Sequence, residues 1–231
     1  MKKYILITIL AAAGLWSCND DSLDASITVD SNFQSGDANG WIAGFAGYAA
    51  TADSVQLDTV FATTLLPRGL DTTQYGYRIL SRYSKGNMFS YIKKRVTGFT
   101  PNSPYEMVLQ VDLATNYIAD GPNSAVEKVT FKAGVSQLEP VTRLVSGIHT
   151  FNLDKGTGKQ IGKDVLLSGS IASTRPDRLY YSSLRYTNDG QPVTVTANNK
   201  GEIWFYAGTD SDFKDTTIFY FDRIIARFKE L

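Results

Sequence analysis

What most limits the folds open to this chain is a two-residue alternation of apolar and polar side chains that recurs from residue 27 to the end. Tyr105, Met107, Leu109, Val111 and Leu113 fall on one side of an extended segment, while Glu106, Gln110 and Asp112 fall mostly on the other. Successive side chains of a strand point to opposite faces, so this spacing describes a strand buried on one face and wet on the other. Residues 126–135 alternate in the same way, with Val129, Phe131 and Ala133 opposite Lys128, Thr130 and Lys132. Residues 202–207 and 216–228 are rich in the aromatic and β-branched side chains that suit a pleated surface. Further strands are predicted at 27–33, 41–45, 55–65, 75–83, 89–97, 147–153, 165–171, 179–186 and 193–196. No stretch in this part of the chain sustains a helical apolar period over several turns. Short strands separated by Gly, Asn, Asp and Pro predict an all-β, antiparallel sandwich, because two such sheets bury their inner faces against each other. No repeat or Pro-rich linker divides residues 27–231, which are read as one domain.

The first residues follow a different logic. Met1-Lys2-Lys3 is a short positive start, residues 4–14 are apolar, and the run stops at Leu15-Trp16-Ser17-Cys18. That run is too short to span a bilayer and reads as an export signal over residues 1–17. Leu15, Ser17 and Cys18 resemble a bacterial lipobox, which implies cleavage before Cys18 and lipid attachment to its thiol. A polar, acidic tether over residues 18–26 follows, and Asn19-Asp20-Asp21 within it resembles the segment after the cysteine in some surface-displayed lipoproteins of Gram-negative outer membranes. The expected location is therefore the cell envelope, lipid-anchored to the outer membrane. Cys18 is the only cysteine, so no intramolecular disulfide is available. The 23 basic and 23 acidic residues balance, leaving no basic footprint for nucleic acid.

Three segments carry a further resemblance. Asn32-Phe33-Gln34-Ser35-Gly36-Asp37-Ala38-Asn39-Gly40-Trp41 is similar to the opening strand and turn of carbohydrate-binding-module jelly rolls. Residues 96–105, running through Gly98-Phe99-Thr100-Pro101-Asn102, are similar to a strand-joining turn of such modules and of fibronectin-like sandwiches. Phe219-Tyr220-Phe221-Asp222-Arg223-Ile224 resembles the closing strand of galactose-binding-like jelly rolls. The resemblance implies a jelly-roll sandwich and a non-catalytic, glycan-binding or adhesive role. The alternatives carried beside it are a structural envelope component that binds a protein partner and a carbohydrate-active enzyme on the same fold.

Catalytic side chains are few. His149 is the only histidine, so a multi-histidine zinc site is excluded, and no G-x-S-x-G nucleophile motif occurs. Glu106, Glu127, Glu139 and Glu202 are carboxylates in principle able to serve glycoside hydrolysis, which is decided by their separation in space. Asp210, Asp212 and Asp215 cluster in one turn and, with Asp222, are the candidate oxygen ligands for a structural calcium ion. Flat aromatic faces with a few polar groups are what a sugar ring needs. The candidates are Tyr75, Tyr77, Tyr83 and Tyr91, with Arg78 and the neighbouring Arg82, Lys93 and Arg95, together with Trp204 and Tyr206. Trp204 and Tyr206 are expected on one strand face, with Ile203 and Phe205 on the other. Five Asp-Ser/Thr triplets, among them Asp53-Ser54-Val55 and Asp58-Thr59-Val60, resemble O-glycosylation sites of some Gram-negative envelope proteins.

Overall fold

A computed structural model describes residues 26–231, and the alternating segments are its strands. In chain order they are β1 (Ser26–Asn32), β2 (Ile42–Ala46), β3 (Tyr48–Ala49), β4 (Leu57–Leu65), β5 (Tyr75–Tyr83), β6 (Met88–Thr97), β7 (Pro104–Thr115) and, after the single helical turn α1 (Ala125–Lys128), β8 (Val129–Ser136). There follow β9 (Thr142–Val145), β10 (Ile148–Phe151), β11 (Leu167–Ser170), β12 (Ser182–Thr187), β13 (Val193–Thr196), β14 (Glu202–Ser211) and β15 (Thr217–Glu230). The export signal, Cys18 and the tether up to residue 25 lie outside the described residues, and Ser26, expected to end the tether, opens β1.

Every ladder between named strands is antiparallel. The larger sheet runs β12-β7-β15-β5-β4, with β1 extending β5 along β15 and β13 extending β12 along β7. The facing sheet runs β11-β8-β14-β6-β2. From β5 to β8 and again from β14 to β15 the chain crosses between the sheets at each step, the alternation expected of a jelly-roll sandwich.

The apolar row of β7 faces inward as its spacing requires, and all five of its side chains are buried. They meet Phe131 and Ala133 of β8 and Ile203, Phe205 and Ala207 of β14. Each fully buried Leu, Val, Met or Phe stabilises the fold by about 1.5–3 kcal/mol relative to exposure. In β15 the inward residues are Phe219 and Phe221, then Ile224, Ala226 and Phe228, a break of phase by one. The register with β7 shifts between Phe221 and Arg223, so a bulge at Asp222 absorbs the extra residue and returns the apolar side chains to the core.

Two local expectations are corrected. Residues 126–128 belong to α1, because the Ser124 carbonyl accepts from the N–H groups of both Glu127 and Lys128 and closes one turn before β8 begins. Lys132, expected on a wet face, is fully buried. The reason is a third layer: the small sheet β3-β10-β9 and the segment 152–166 lie over part of the outer face of the β14 sheet. The alternation of β8 is intact, but its polar face is covered.

Candidate functional site

The outer face of the β14 sheet is built from two facing rows. On β6 these are Phe89, Tyr91, Lys93 and Arg95, and on β14 they are Asp210, Gly208, Tyr206 and Trp204 in matching register. One end of this face is sealed. Phe89, Tyr91 and Tyr206 pack with Phe151 and Leu153 of the third layer, with ring centroids 4.8–6.0 Å apart. Tyr206 Oη donates to the Asp164 carbonyl at 2.8 Å, and Tyr91 Oη lies 3.0 Å from Thr142 Oγ1. Gly134, paired with Tyr206 across the ladder, allows this approach, since a Cβ there would sit 2.1 Å from the Asp164 oxygen. Burial pushes the Tyr206 phenol well above its ordinary proton affinity.

Asp210 closes the sealed end in a charged network. Its Oδ2 accepts from Lys132 Nζ at 3.0 Å and from the Gly158 N–H at 2.8 Å, and Oδ1 lies 2.8 Å from Lys155 Nζ. Lys132 Nζ donates further to the carbonyls of Lys155 and Gln160, so all three of its protons are engaged. Burial lowers the Lys132 ammonium's pKa while the Asp210 charge opposes that shift. The network fastens segment 152–166 to the sheet.

The other end is open. Trp204 is half-buried, with Lys93 Nζ at 5.6 Å and Arg95 Cζ at 6.0 Å from its ring centroid. Lys93 pairs with Glu139 at 2.6 Å, and Arg95 Nη1 donates to Glu202 Oε1 at 3.3 Å. Asn198 ties the rim together: Nδ2 donates to Glu202 Oε2 at 3.1 Å and to the Gln137 carbonyl at 3.3 Å. Its Oδ1 accepts from the N–H groups of Lys200 and Glu202. Asn102, in the left-handed region at φ 59°, donates its N–H to the Asn198 carbonyl and joins the rim. These residues other than Lys93, together with Leu138, Asn199 and Lys200, line a groove of about 550 Å³, within the range of small-molecule clefts. Its chemistry is one indole and one exposed leucine, side-chain amides, and carboxylates engaged by cations.

The remaining sequence candidates are dispersed. Tyr77 turns into the sandwich core, Tyr83 is buried with its Oη accepting from the Ala49 N–H of β3, and Tyr91 and Tyr206 are roofed over, so none of these four rings offers a face to a ligand. Period two is the cause on β5: Tyr77 and Tyr83 share the inward parity, while Arg78 and Arg82 point outward. Tyr75, at the start of β5, is exposed and lies over Gly36, far along the other sheet from Trp204. As expected, Trp204 and Tyr206 share one face, with Ile203 and Phe205 in the core; only Trp204 reaches the open groove. Of the four glutamates, Glu139 and Glu202 line the groove, Glu127 pairs with Lys159, and Glu106 lies on the opposite sheet. The stacking of His149 on Tyr48, centroids 4.6 Å apart, places the histidine in the small sheet and away from the groove.

The proposed calcium ligands do not converge. Asp210 is spent on Lys132 and Lys155, Asp212 pairs with Lys214 at 2.6 Å, and Asp215 accepts the Thr216 N–H at 2.7 Å. Asp222 lies on the β15 bulge in the other sheet, where burial and the nearby Asp112 charge raise its pKa against the pull of Arg223. Among the described residues no three His, Cys, Asp or Glu side chains are grouped to hold a metal ion. Asn198 and Gln137 were not anticipated; the only sequence signal for the former is the turn composition of Asn198-Asn199-Lys200-Gly201.

No protein-family model matches the chain, and no curated protein matches it. Among solved structures it is similar to one concerned with the promiscuous specificity of carbohydrate-binding modules from the β-sandwich superfamily, at 11% identity over 83% of this chain, with TM-score 0.41. This chain spans 58% of that structure's length. It is also similar to the K3 cleaved adhesin domain of Lys-gingipain from Porphyromonas gingivalis, at 11% identity over 88% of this chain and 99% of the other, with TM-score 0.44. A carbohydrate-binding module described for specific mannan recognition matches at 7% identity over 88% and 98% of the two chains, with TM-score 0.43. At TM-scores below 0.5, what those proteins bind does not transfer to this one.

Proposed function

We propose that this chain is a non-catalytic glycan-binding module, held at the outer membrane by lipid on Cys18. The observation that carries the binding role is the Trp204 groove. An indole left half-open beside amides and ion-paired side chains meets the two needs of a sugar ring, an apolar face to stack on and polar groups to orient its hydroxyls. Glu139 and Glu202 serve here as acceptors for hydroxyl groups, since each is held by a cation and neither stands free as an acid–base partner. The test is a glycan array and affinity-gel screen of the protein beside its Trp204→Ala variant. Binding to at least one polysaccharide class, weakened tenfold or more by the substitution, supports the reading. Absence of binding across host, plant and bacterial glycans, or binding indifferent to Trp204, overturns it. The anchor is tested separately: Cys18→Ser releases the protein from the membrane fraction, and its retention there counts against lipidation.

A further inference from the structure

The edges of the sandwich are unequal. On one side of the larger sheet, β12 and β13 are strands of six and four residues laid end to end on β7, and the facing sheet ends in β11 and β2, of four and five. The other side of the larger sheet is edged by β1, seven residues laid on β15, and by β4, the longest edge strand, nine residues in unbroken register with β5 from Leu57 opposite Tyr83 to Leu65 opposite Tyr75. No described strand pairs with the far side of β4, so a row of outward N–H and C=O groups runs its length. Edge strands of this kind are ordinarily guarded by lysine, proline or a bulge. Leu57-Asp-Thr-Val-Phe-Ala-Thr-Thr-Leu65 contains none of these, and its one charged side chain is Asp58 near the start.

The edge is also apolar. Phe61 is 52% exposed and Leu65 49%, although both have the inward parity of Ile79 and Tyr75 across the ladder. Phe61 overhangs the facing sheet, where Phe45 of β2 reaches it with ring centroids 6.4 Å apart. Val60 on the outer parity is 39% exposed.

The order of residues along β4 is symmetric about Phe61. Antiparallel pairing with an identical strand centred there sets Phe61 against Phe61, Val60 against Ala62, Thr59 against Thr63, Asp58 against Thr64 and Leu57 against Leu65. Opposed residues of antiparallel strands share a face, so Phe61 meets Phe61 at the axis and Leu57 meets Leu65 toward each end, with a Thr59–Thr63 pair between them on that face and no like charges opposed. Centring the pair on Val60 or Ala62 sets Phe61 against a threonine.

We propose that β4 is a self-recognition edge: two copies of this chain pair their β4 strands antiparallel about a two-fold axis at Phe61, joining the two larger sheets into one. Such a contact is isologous and closes at the dimer. It is independent of the glycan-binding reading, because β4 and the Trp204 groove lie on different sheets.

The full chain in the Cys18→Ser background carries no thiol, which makes single-cysteine cross-linking clean. Under mild oxidation Phe61→Cys links to itself across the axis, where opposed Cα atoms fall within disulfide reach. Leu57→Cys and Leu65→Cys each stay unlinked alone and link when mixed. By light scattering the unsubstituted background chain has twice the monomer mass, and Phe61→Lys, which opposes two ammonium groups at the axis, weakens the dimer at least tenfold. The half-exposed position of Phe61 lets that variant fold, which circular dichroism checks. A monomer mass at all concentrations, an open series of larger species, or cross-linking at Leu57→Cys alone equal to that at Phe61→Cys overturns the proposal.

Discussion

Trp204 and Tyr206 stand two residues apart on the same face of the same strand, yet Tyr206 is 1% exposed and Trp204 lies half-open in a groove. The same gradient runs along β6. Tyr91 is buried, the Lys93 side chain is 13% exposed and that of Arg95 is 56% exposed. Alternation along a strand therefore decides which face a side chain takes, and a separate layer decides whether that face is wet. At the sealed end, aromatic and charged groups are structural. At the open end, similar groups are available for recognition.

The sharpest way to break this contrast is to attack what fastens the covering layer. Lys132→Met removes three hydrogen bonds and leaves the fully buried Asp210 with Lys155 and the Gly158 N–H alone. Removing one partner of a buried ion pair costs about 3–5 kcal/mol, because the other charge stays desolvated. Because Asp210 keeps Lys155, urea unfolding should show a loss toward the lower end of that range, and the double variant Lys132→Met/Asp210→Leu should recover part of it by removing a buried carboxylate left with one cation in place of two. A single-variant loss below about 1 kcal/mol, the scale of an exposed pair, means that the network does not hold the layer down.

A smaller effect isolates Tyr206. Tyr206→Phe keeps the ring against Phe89 and Phe151 and deletes only the bond to the Asp164 carbonyl, at a net cost of about 1 kcal/mol. The pH dependence carries a sign. The folded phenol's pKa is raised above the ordinary value of 10.0, so its contribution is fully present below pH 10. Above that pH the unfolded chain loses its proton first, and stability falls as pH rises. The phenylalanine variant lacks this increment, so the stability gap between the two proteins should narrow from pH 9 to pH 11. A gap constant across that range shows that the phenol is not held protonated by its burial.

The division between the two ends explains how much was legible in the sequence. Strand positions followed from period two because it reports which side chains point together, and β5 and β13 were placed to the residue. The inward row of β7 was legible for the same reason. Of the third layer only β10 was, inside the strand expected at 147–153. Residues 142–145 of β9 are mostly exposed and give no alternation, β3 is two residues long, and segment 152–166 has no regular period. Its presence converts Lys132, Tyr91 and Tyr206 from surface groups to interior ones, through contacts distant in sequence such as Lys132 with Gln160. Trp204 and Arg95 were each legible as an aromatic and a basic candidate, but not that the β6–β14 ladder sets them opposite each other. Nor was it legible that a turn from Asn198 to Gly201 would complete their groove.

The smallest expected change in stability lies at the open end. Glu202→Gln removes one charge from a pair whose arginine side chain is 56% exposed, and exposed pairs contribute about 0–1 kcal/mol. The glutamine retains an oxygen to accept from Asn198 Nδ2, so the rim keeps its closure. What it loses is the charge that draws Arg95 toward Glu202 beside the indole. Thermal unfolding should therefore be nearly unchanged, while affinity for the glycan that responds to Trp204 falls severalfold. A large loss of stability instead makes Glu202 a structural residue like Asp210 and extends the sealed region to the groove itself. An unchanged affinity confines recognition to the indole face and removes the paired charges from the binding role.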